Sequence, residues 1–292
     1  AGVRASSSRK YLQEPGLHFL ELDFAHTDRL YEQLKAHREA HGAFDYVVHC
    51  AGVTKCIDPA DFDRVNCGQT CALANALRSL DMTPRQFAFI STLSVFGPVH
   101  EDTYKPIRET DTPQPNTAYG RSKLKAEQAL LAMDGFPCVI YRPTGVYGPR
   151  ERDYFLMAES IKRHLDMSVG YRRQDLTFVY VKDVVQAVFR GIERGVTGRA
   201  YFLSDGQVYA SRIFSDLIRR ELGNPLIVRI KCPLFLLKVV SLLAEQPGLT
   251  LLPIVARQLP GLAGGLYVGG GQRTSLLLRA DVDAQAVKAH GG

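Results

Sequence analysis

Phe44-Asp-Tyr-Val-Val-His-Cys50 and Gln86-Phe-Ala-Phe-Ile-Ser91 are two apolar runs, and residues 62–80 between them have a helical pattern. An apolar run, a helix and a second apolar run are typical of a βαβ unit, whose two strands pair in parallel. The same alternation continues on both sides, with strands over 18–23 and 138–142 and helices over 28–41 and 117–133. The sequence therefore predicts a doubly wound parallel α/β sheet.

The second half of the chain alternates less regularly. Short strands are predicted over 178–181 and 200–203, and helices over 183–194 and 212–222. We therefore expect a Rossmann-like domain over 1–150 and a smaller mixed substrate lobe over 151–292, with 178–203 returning to the sheet. Residues 244–292 are rich in Leu, Gly and Pro and do not fit this pattern, and the glycines at 264, 265 and 269–271 are interpreted as loop.

Composition favours a soluble globular protein. The chain has 292 residues, of which 46% are hydrophobic and 23% charged, values close to the globular average. The most apolar stretch, residues 233–243, is interrupted by Lys238 and is shorter than the ~20 residues that span a bilayer. We therefore expect no membrane partner.

The charge distribution and the cysteine spacing argue against nucleic-acid binding and against a metal site. The net charge is +6, but basic residues are scattered among acidic ones, so we expect no nucleic-acid partner. The six cysteines form no Cys-x-x-Cys pair and no zinc spacing with histidine, so no metal site is predicted. This cysteine pattern indicates a reducing cytoplasm.

Three motifs carry the chemistry: the first and the third each follow a predicted strand, and the second opens a predicted helix. They are Ser91-Thr92-Leu-Ser-Val-Phe-Gly97, Ala118-Tyr119-Gly-Arg-Ser-Lys123 and Arg142-Pro-Thr-Gly-Val-Tyr-Gly-Pro149. Tyr119 and Lys123 are four residues apart and share one face of a helix. A nearby positive charge lowers the pKa of a phenol from about 10, so we expect Tyr119 to exchange a proton near neutral pH. Thr92 can hydrogen-bond the reacting oxygen.

The spacing of tyrosine and lysine is weak evidence by itself. Tyr31 and Lys35 are also four residues apart, yet no pair of hydroxyl residues at a strand end precedes them. We interpret Tyr31 as an ordinary helix residue. Tyr119 differs because Ser91 and Thr92 lie at the carboxyl edge of a strand, where open α/β sheets bind ligands.

With these motifs in order, residues 1–243 resemble the extended short-chain dehydrogenases/reductases, also called the NAD-dependent epimerase/dehydratase family. Val95-Phe96-Gly97 matches the family's Val-Tyr-Gly, with Phe in place of Tyr. The resemblance implies that Tyr119 is the general acid/base, that Lys123 orients the nicotinamide ribose, and that Thr92 contacts the substrate hydroxyl. It also implies a homodimer.

The resemblance further implies a set of cofactor contacts: Leu22, Asp23, Phe24, Ala51, Gly52, Val53, Asn66, Ser91, Pro143, Thr144, Gly145 and Val146. The last four belong to a loop whose backbone meets the nicotinamide amide. Other interpretations stay open. Asp23 can cap the segment that follows, His49 beside Ala51 can be a buried core histidine, and Gly145 and Gly148 can be turn glycines.

Arg4 and Ser6 favour NADP. They follow the end of a strand, where an acidic residue binds the ribose 2′-hydroxyl of NAD and an arginine suits the 2′-phosphate of NADP. NAD stays open as the alternative. Thr54, Thr92 and Arg150 are the candidate substrate contacts, although Arg150 and Arg152 are equally explained as solvated surface residues.

The family's opening strand and glycine-rich phosphate loop have no counterpart near Ala1 in this sequence. We therefore expect weak cofactor binding, or none, unless another chain supplies this piece. Residues 1–4 resemble the end of the second strand of such a sheet. We therefore expect the first strand to precede Ala1.

Nucleotide-sugar epimerase or dehydratase chemistry on a hydroxyl or keto group of a small molecule is the first functional expectation, by resemblance. An NADP-dependent reductase, or a dehydrogenase similar to the 3β-hydroxysteroid enzymes, is the alternative, with residues 233–243 as a candidate apolar pocket. A non-catalytic fragment or binding module of the same fold is the third.

Overall fold

A computed structural model describes residues 1–169, 171, 174–232 and 273–274 of the protein. The apolar stretch 233–243, the glycine-rich segment and the atypical tail therefore lie outside the described residues, apart from Arg273 and Thr274. Within the described ranges, no helix combines the length and apolarity that a bilayer crossing requires.

The first half of the chain follows the predicted alternation. Its strands and helices are β1 (Gly2–Val3), β2 (Leu20–Glu21), α1 (Thr27–His41), β3 (Tyr46–His49), α2 (Ala60–Phe62), α3 (Thr70–Ser79), β4 (Gln86–Ile90), β5 (Pro106–Ile107), α4 (Ala118–Leu131) and β6 (Cys138–Pro143). The helix predicted over 62–80 is confirmed, with a π-helical segment, Asp63–Gln69, between α2 and α3. Such wider turns occur mostly at functional sites.

The second half contains shorter strands. They and their helices are β7 (Gly145–Tyr147), α5 (Asp153–Lys162), β8 (Leu165–Val169), β9 (Asp175–Leu176), β10 (Phe178–Tyr180), α6 (Val181–Glu193), β11 (Arg199–Leu203), β12 (Tyr209–Ala210), α7 (Ser211–Glu221), β13 (Val228–Cys232) and β14 (Arg273–Thr274). The strands and helices predicted over 178–222 agree with these bounds to within two residues.

The main sheet has four strands in the order β11-β6-β4-β3. β3 pairs with β4 in parallel, and β4 pairs with β6 in parallel, so that Val47 faces Phe87 and Phe89 faces Ile140. The predicted α/β fold with a parallel sheet is confirmed. A separate parallel pair joins β1 and β2, which confirms that Gly2 and Val3 belong to a strand.

One compact unit comprises residues 1–91, 121–141 and 188–200. Its core is formed by α1, α3, α4 and the strands of the main sheet, with Leu30, Leu34, Leu77, Phe87 and Phe89 fully buried. These leucines recur at the three- and four-residue spacing of an amphipathic helix, and the phenylalanines point to one face of β4. Burial of this apolar surface holds the end of β4 in place.

A second compact unit comprises residues 92–120, 142–187 and 201–292. In it, Phe96 packs edge-on against Phe202 at 5.1 Å between ring centroids, and the guanidinium of Arg142 lies 5.1 Å from the Phe96 ring. The two units are interleaved along the chain, since the chain leaves the first unit at Thr92 and returns to it at Arg121. The domain boundary expected at residue 150 stays a prediction.

Candidate active site

The candidate site begins where β4 ends. Thr92 follows the strand with an extended backbone, and its hydroxyl oxygen accepts a hydrogen bond from the Ser94 backbone N–H at 3.2 Å. The Thr92 hydroxyl donates in turn to Ser94 Oγ at 3.2 Å. Tyr119 at the start of α4 hydrogen-bonds to Thr92. Two of the three predicted catalytic side chains are therefore in direct contact.

Tyr119 is a protonated phenol at neutral pH. Burial raises its pKa to about 12, and the hydrogen bond to Thr92 opposes this effect only in part. The expectation that Lys123 lowers the pKa of this phenol stays a prediction. A buried phenol with this pKa keeps its proton at neutral pH.

Lys123 lies one helical turn after Tyr119 and is almost fully buried, with 4% of its side chain exposed. Its ammonium donates to the Ile90 carbonyl at the end of β4 at 2.9 Å, and it lies 4.7 Å from the centre of the Phe89 ring. Burial lowers the pKa of Lys123 from 10.5 to about 8. It is therefore a desolvated cation held against the end of the strand.

Asn66 organises the loop that follows β3. Its side-chain oxygen accepts from the Val53 N–H at 2.8 Å, and its amide donates to the Val53 carbonyl and to Ser122 Oγ, both at 3.0 Å. Gly52 lies so close that a Cβ atom there would be 2.8 Å from Asn66 Oδ1 and 3.3 Å from Lys123 Nζ. The structure thus brings Gly52, Val53, Asn66 and Lys123 together, and their contact with a cofactor stays a prediction.

His49 is a buried core histidine, one of the two interpretations that the sequence left open. Its Nε2 lies 3.0 Å from Thr70 Oγ1, and the Thr70 hydroxyl donates to the Asn66 carbonyl at 2.7 Å. Thr70 therefore accepts from His49. Burial lowers the pKa of His49 to about 4, with a further contribution from the Lys123 charge, so the ring is neutral at physiological pH. Ala51 and Thr54 nearby are exposed.

Asp23 has a local structural role in the described coordinates. Its carboxylate accepts from the Ala25 N–H at 3.1 Å and pairs with His26 at 2.9 Å and Arg29 at 3.4 Å. The hydrogen bond from Ala25 stabilises the turn before α1, and contact with adenine stays a prediction. Leu22 before it is buried in the core, and Phe24 after it packs against that core.

Arg4 and Ser6 lie on the surface immediately after β1. Both are exposed, and the backbone here turns, with the Ser7 N–H donating to the Arg4 carbonyl at 2.9 Å. The Arg4 N–H donates back to Ser7 Oγ at 3.1 Å. The position is accessible to a ligand, and the 2′-phosphate role predicted for Arg4 and Ser6 stays a prediction.

The segment after β6 differs from the loop that the sequence predicted. Pro143 ends β6, but Gly145 and Val146 form strand β7 and pair with Phe178 and Val179 of β10. The N–H of Thr144 donates to the Leu203 carbonyl at 2.9 Å, and that of Gly145 to the Thr177 carbonyl at 3.1 Å. These backbone donors are used within the protein because the neighbouring strands supply carbonyls. Arg150, a candidate substrate contact, is exposed and has a positive φ of 74°.

Comparison with known proteins fits this geometry. Residues 2–204 match the model of the NAD dependent epimerase/dehydratase family. The chain belongs to this family. Its members are NAD(P)-dependent epimerases, dehydratases and reductases, and the matched region contains Thr92, Tyr119 and Lys123.

Two curated relatives in the family act on nucleotide sugars by name. GDP-6-deoxy-D-mannose reductase from Pseudomonas aeruginosa is 30% identical over 190 residues, which cover 60% of this chain and 62% of the relative. UDP-glucose 4-epimerase from Vibrio cholerae is 29% identical over 174 residues, covering 55% of this chain and 52% of the relative. The chain therefore spans less than two thirds of the length of these relatives.

A solved structure from the same family also superposes on the chain. The structure of RMD from Pseudomonas aeruginosa complexed with NADPH gives a TM-score of 0.63 at 25% identity, covering 75% of this chain and 78% of that chain. This similarity supports the Rossmann-like α/β fold independently of the sequence match.

Three buried polar residues of the candidate site were not predicted from the sequence. Ser94 contacts Thr92, Ser122 contacts Asn66, and Glu127 accepts a hydrogen bond from Ser91 at 2.5 Å. Glu127 had a detectable signal, since it follows Lys123 by four residues and therefore lies on the same helix face. Ser94 and Ser122 had none, because small hydroxyl residues are common on helices and loops.

Proposed function

We propose that this chain carries the catalytic residues of an NADPH-dependent enzyme that reduces the keto group of a nucleotide-linked sugar. The observation that carries the proposal is the hydrogen bond between Tyr119 and Thr92, in a phenol whose pKa is raised to about 12. A protonated phenol beside a hydroxyl is suited to give a proton to a carbonyl oxygen as that oxygen becomes an alcohol.

Each residue has a distinct role in this proposal. Thr92 hydrogen-bonds the substrate oxygen and holds it near Tyr119, which donates the proton. Lys123, one turn along the same helix, provides a fixed positive charge that stabilises the phenolate left after the proton departs. Ser94 orients the Thr92 hydroxyl through the two contacts described above.

The residues around Lys123 fit a nicotinamide nucleotide. Ala51 and Gly52 are exposed, and the absence of a Cβ atom at Gly52 lets Asn66 Oδ1 and the Lys123 ammonium lie close to this backbone. A ribose with two hydroxyls can accept from this ammonium and approach this backbone. When bound, the nucleotide supplies or accepts the hydride. The choice of NADPH is supported by exposed Arg4 after β1 and by the relative whose structure contains NADPH.

A reductase is favoured over an epimerase by the GDP-6-deoxy-D-mannose reductase among the relatives. Epimerisation begins with oxidation, for which the same phenol must first lose its proton. A UDP-glucose 4-epimerase among the relatives keeps this second function open to test.

Turnover is tested by following NADPH and NADH absorbance with nucleotide-linked keto sugars carrying GDP, UDP or dTDP. Since the chain spans 62% of the P. aeruginosa reductase, it is assayed as it stands and preceded by that enzyme's strand, glycine-rich loop and helix. We expect Tyr119→Phe to lower kcat by about 10²–10⁴.

Tyr31→Phe is the matched control, because Tyr31 has the same spacing to a lysine but packs against the core of the first unit. It should leave kcat unchanged. Equal turnover by Tyr119→Phe and the wild type would overturn the proposal. Loss of NADPH without a keto substrate, or isomerisation without net NADPH use, would instead identify an oxidase-type reaction or an epimerase.

A further inference from the structure

Helix α4 holds two consecutive residues at the end of β4. The Lys123 ammonium donates to the Ile90 carbonyl at 2.9 Å, and the Ser91 hydroxyl donates to Glu127 Oε1 at 2.5 Å. Lys123 and Glu127 are four residues apart, so the two hydrogen bonds lie one above the other along the same face of α4. The strand end just before Thr92 is therefore attached to the helix at two points.

This pair of contacts is almost fully removed from water. Exposure is 4% for Lys123, 1% for Glu127 and 3% for Ser91. A buried carboxylate costs free energy unless it is hydrogen-bonded and accompanied by an opposite charge. An apolar side chain would fill the same space without this cost, so packing alone does not account for a glutamate here.

We propose that Glu127 is a positioning residue: it fixes the end of β4, and it keeps Lys123 a charged ammonium on α4. The catalytic part of this inference rests on the function proposed above. The effect on Lys123 itself does not, because it concerns only residues of α4, β4 and their neighbours.

The charged and titratable groups around Lys123 single out Glu127. Burial lowers the pKa of Lys123, while Cys50 and Glu127 act in the opposite direction. Burial raises the pKa of the Cys50 thiol, which is therefore neutral at pH 7, and the buried His49 ring is neutral as well. Among these groups, only Glu127 can supply a negative charge at neutral pH.

The strand on the other side of Glu127 contributes no competing charge. Cys138 of β6 feels the Glu127 carboxylate, and burial together with this carboxylate raises the pKa of the Cys138 thiol to about 12. Cys138 is therefore neutral over the working range of pH.

The test is a direct titration of Lys123 by NMR in the chain labelled with ¹³C and ¹⁵N at lysine, with Lys123→Met to assign the signal. In Glu127→Gln, which keeps the size and the hydrogen-bonding capacity of the side chain, we expect the pKa of Lys123 to fall by about 1 unit relative to the wild type. Glu39→Gln, at an exposed position on α1, is the matched control and should leave it unchanged. The same Lys123 pKa in wild type and Glu127→Gln would overturn the inference.

A second measurement covers the case in which Glu127→Gln folds but is too unstable for the NMR titration. If Glu127 acts through Lys123, the loss of stability caused by Glu127→Gln is smaller in the Lys123→Met background than in the wild type. Equal losses in both backgrounds, in urea unfolding, would overturn the inference.

In the active protein, Glu127→Gln should also move the alkaline limb of the kcat–pH profile to lower pH, whereas a purely structural role would lower kcat at every pH alike. The NMR result stands even if the chain turns over no nucleotide sugar, so failure of this inference and failure of the proposed function are distinguishable.

Discussion

Replacing Lys123 by Met should stabilise the protein near neutral pH. Lys123 is 4% exposed, and burial lowers its pKa from 10.5 to about 8. Each pKa unit corresponds to about 1.4 kcal/mol, so keeping this ammonium charged in the folded state costs roughly 3 kcal/mol below pH 8. Methionine has a similar length and removes the charge. It also loses the hydrogen bond to Ile90, worth ~1 kcal/mol, which leaves a net gain of ~2 kcal/mol.

The sign of the pH dependence follows from proton binding. Between pH 8 and 10.5 the unfolded chain holds a proton on Lys123 that the folded chain releases. Wild-type stability therefore rises with pH through this window, and the cost is fully present below it. The Lys123→Met variant lacks this rise, so its advantage over the wild type should shrink by roughly 3 kcal/mol as the pH increases from 8 to above 10.5.

Urea unfolding followed by circular dichroism at pH 7, 8, 9 and 10.5 measures this difference directly, because other groups that titrate in the window are common to both proteins. The control is Lys35→Met, because Lys35 follows Tyr31 on α1 by the same four residues. The stability of this variant relative to the wild type should not depend on pH. A Lys123→Met variant that is less stable than the wild type by more than 1–2 kcal/mol at pH 7 would refute the reasoning and identify Lys123 as a purely structural residue.

Three further outcomes are expected from the structure. The free energy of unfolding of the wild type should fall by up to roughly 3 kcal/mol between pH 6.5 and 4, because His49 stays neutral in the folded protein and gains a proton on unfolding. His49→Gln should abolish this loss in acid unfolding curves. Asn66→Ala should cost about 2–4 kcal/mol in urea unfolding by leaving both backbone groups of Val53 without their partner. Gly97→Ala should cost more than ~2 kcal/mol in thermal unfolding, since φ is +61° and the new Cβ would be 2.2 Å from the Gln114 carbonyl oxygen; a cost below 0.5 kcal/mol would contradict this geometry.

The parts of the fold that the sequence predicts well are those with strong local periodicity. The strand over Gln86–Ile90 and the helix over Ala118–Leu131 were predictable because apolar runs and i, i+4 spacings are local properties. Thr92, Tyr119 and Lys123 could be singled out because a hydroxyl pair at a strand end precedes the tyrosine–lysine spacing. Gly52 and Asn66 were assigned to the cofactor only by resemblance to the family.

Other features depend on contacts between segments distant in sequence. Gly145 and Val146 look like a turn, yet they form a strand because β10, more than 30 residues later, offers a parallel partner. The raised pKa of Tyr119 could not be predicted, since it results from burial, which depends on residues distant in sequence. Glu127 was not predicted because its role depends on a hydrogen bond from Ser91, which lies 36 residues earlier in the chain.

Calorimetric titration with NADPH and NADH tests the central claim most directly. It is carried out on this chain and on the chain preceded by the strand, glycine-rich loop and helix of the P. aeruginosa reductase. We expect the extended chain to bind NADPH more tightly than NADH, and Arg4→Ala to remove this preference while leaving NADH binding unchanged. If neither form binds either nucleotide, the assignment of Gly52, Asn66 and Lys123 to a cofactor site is contradicted.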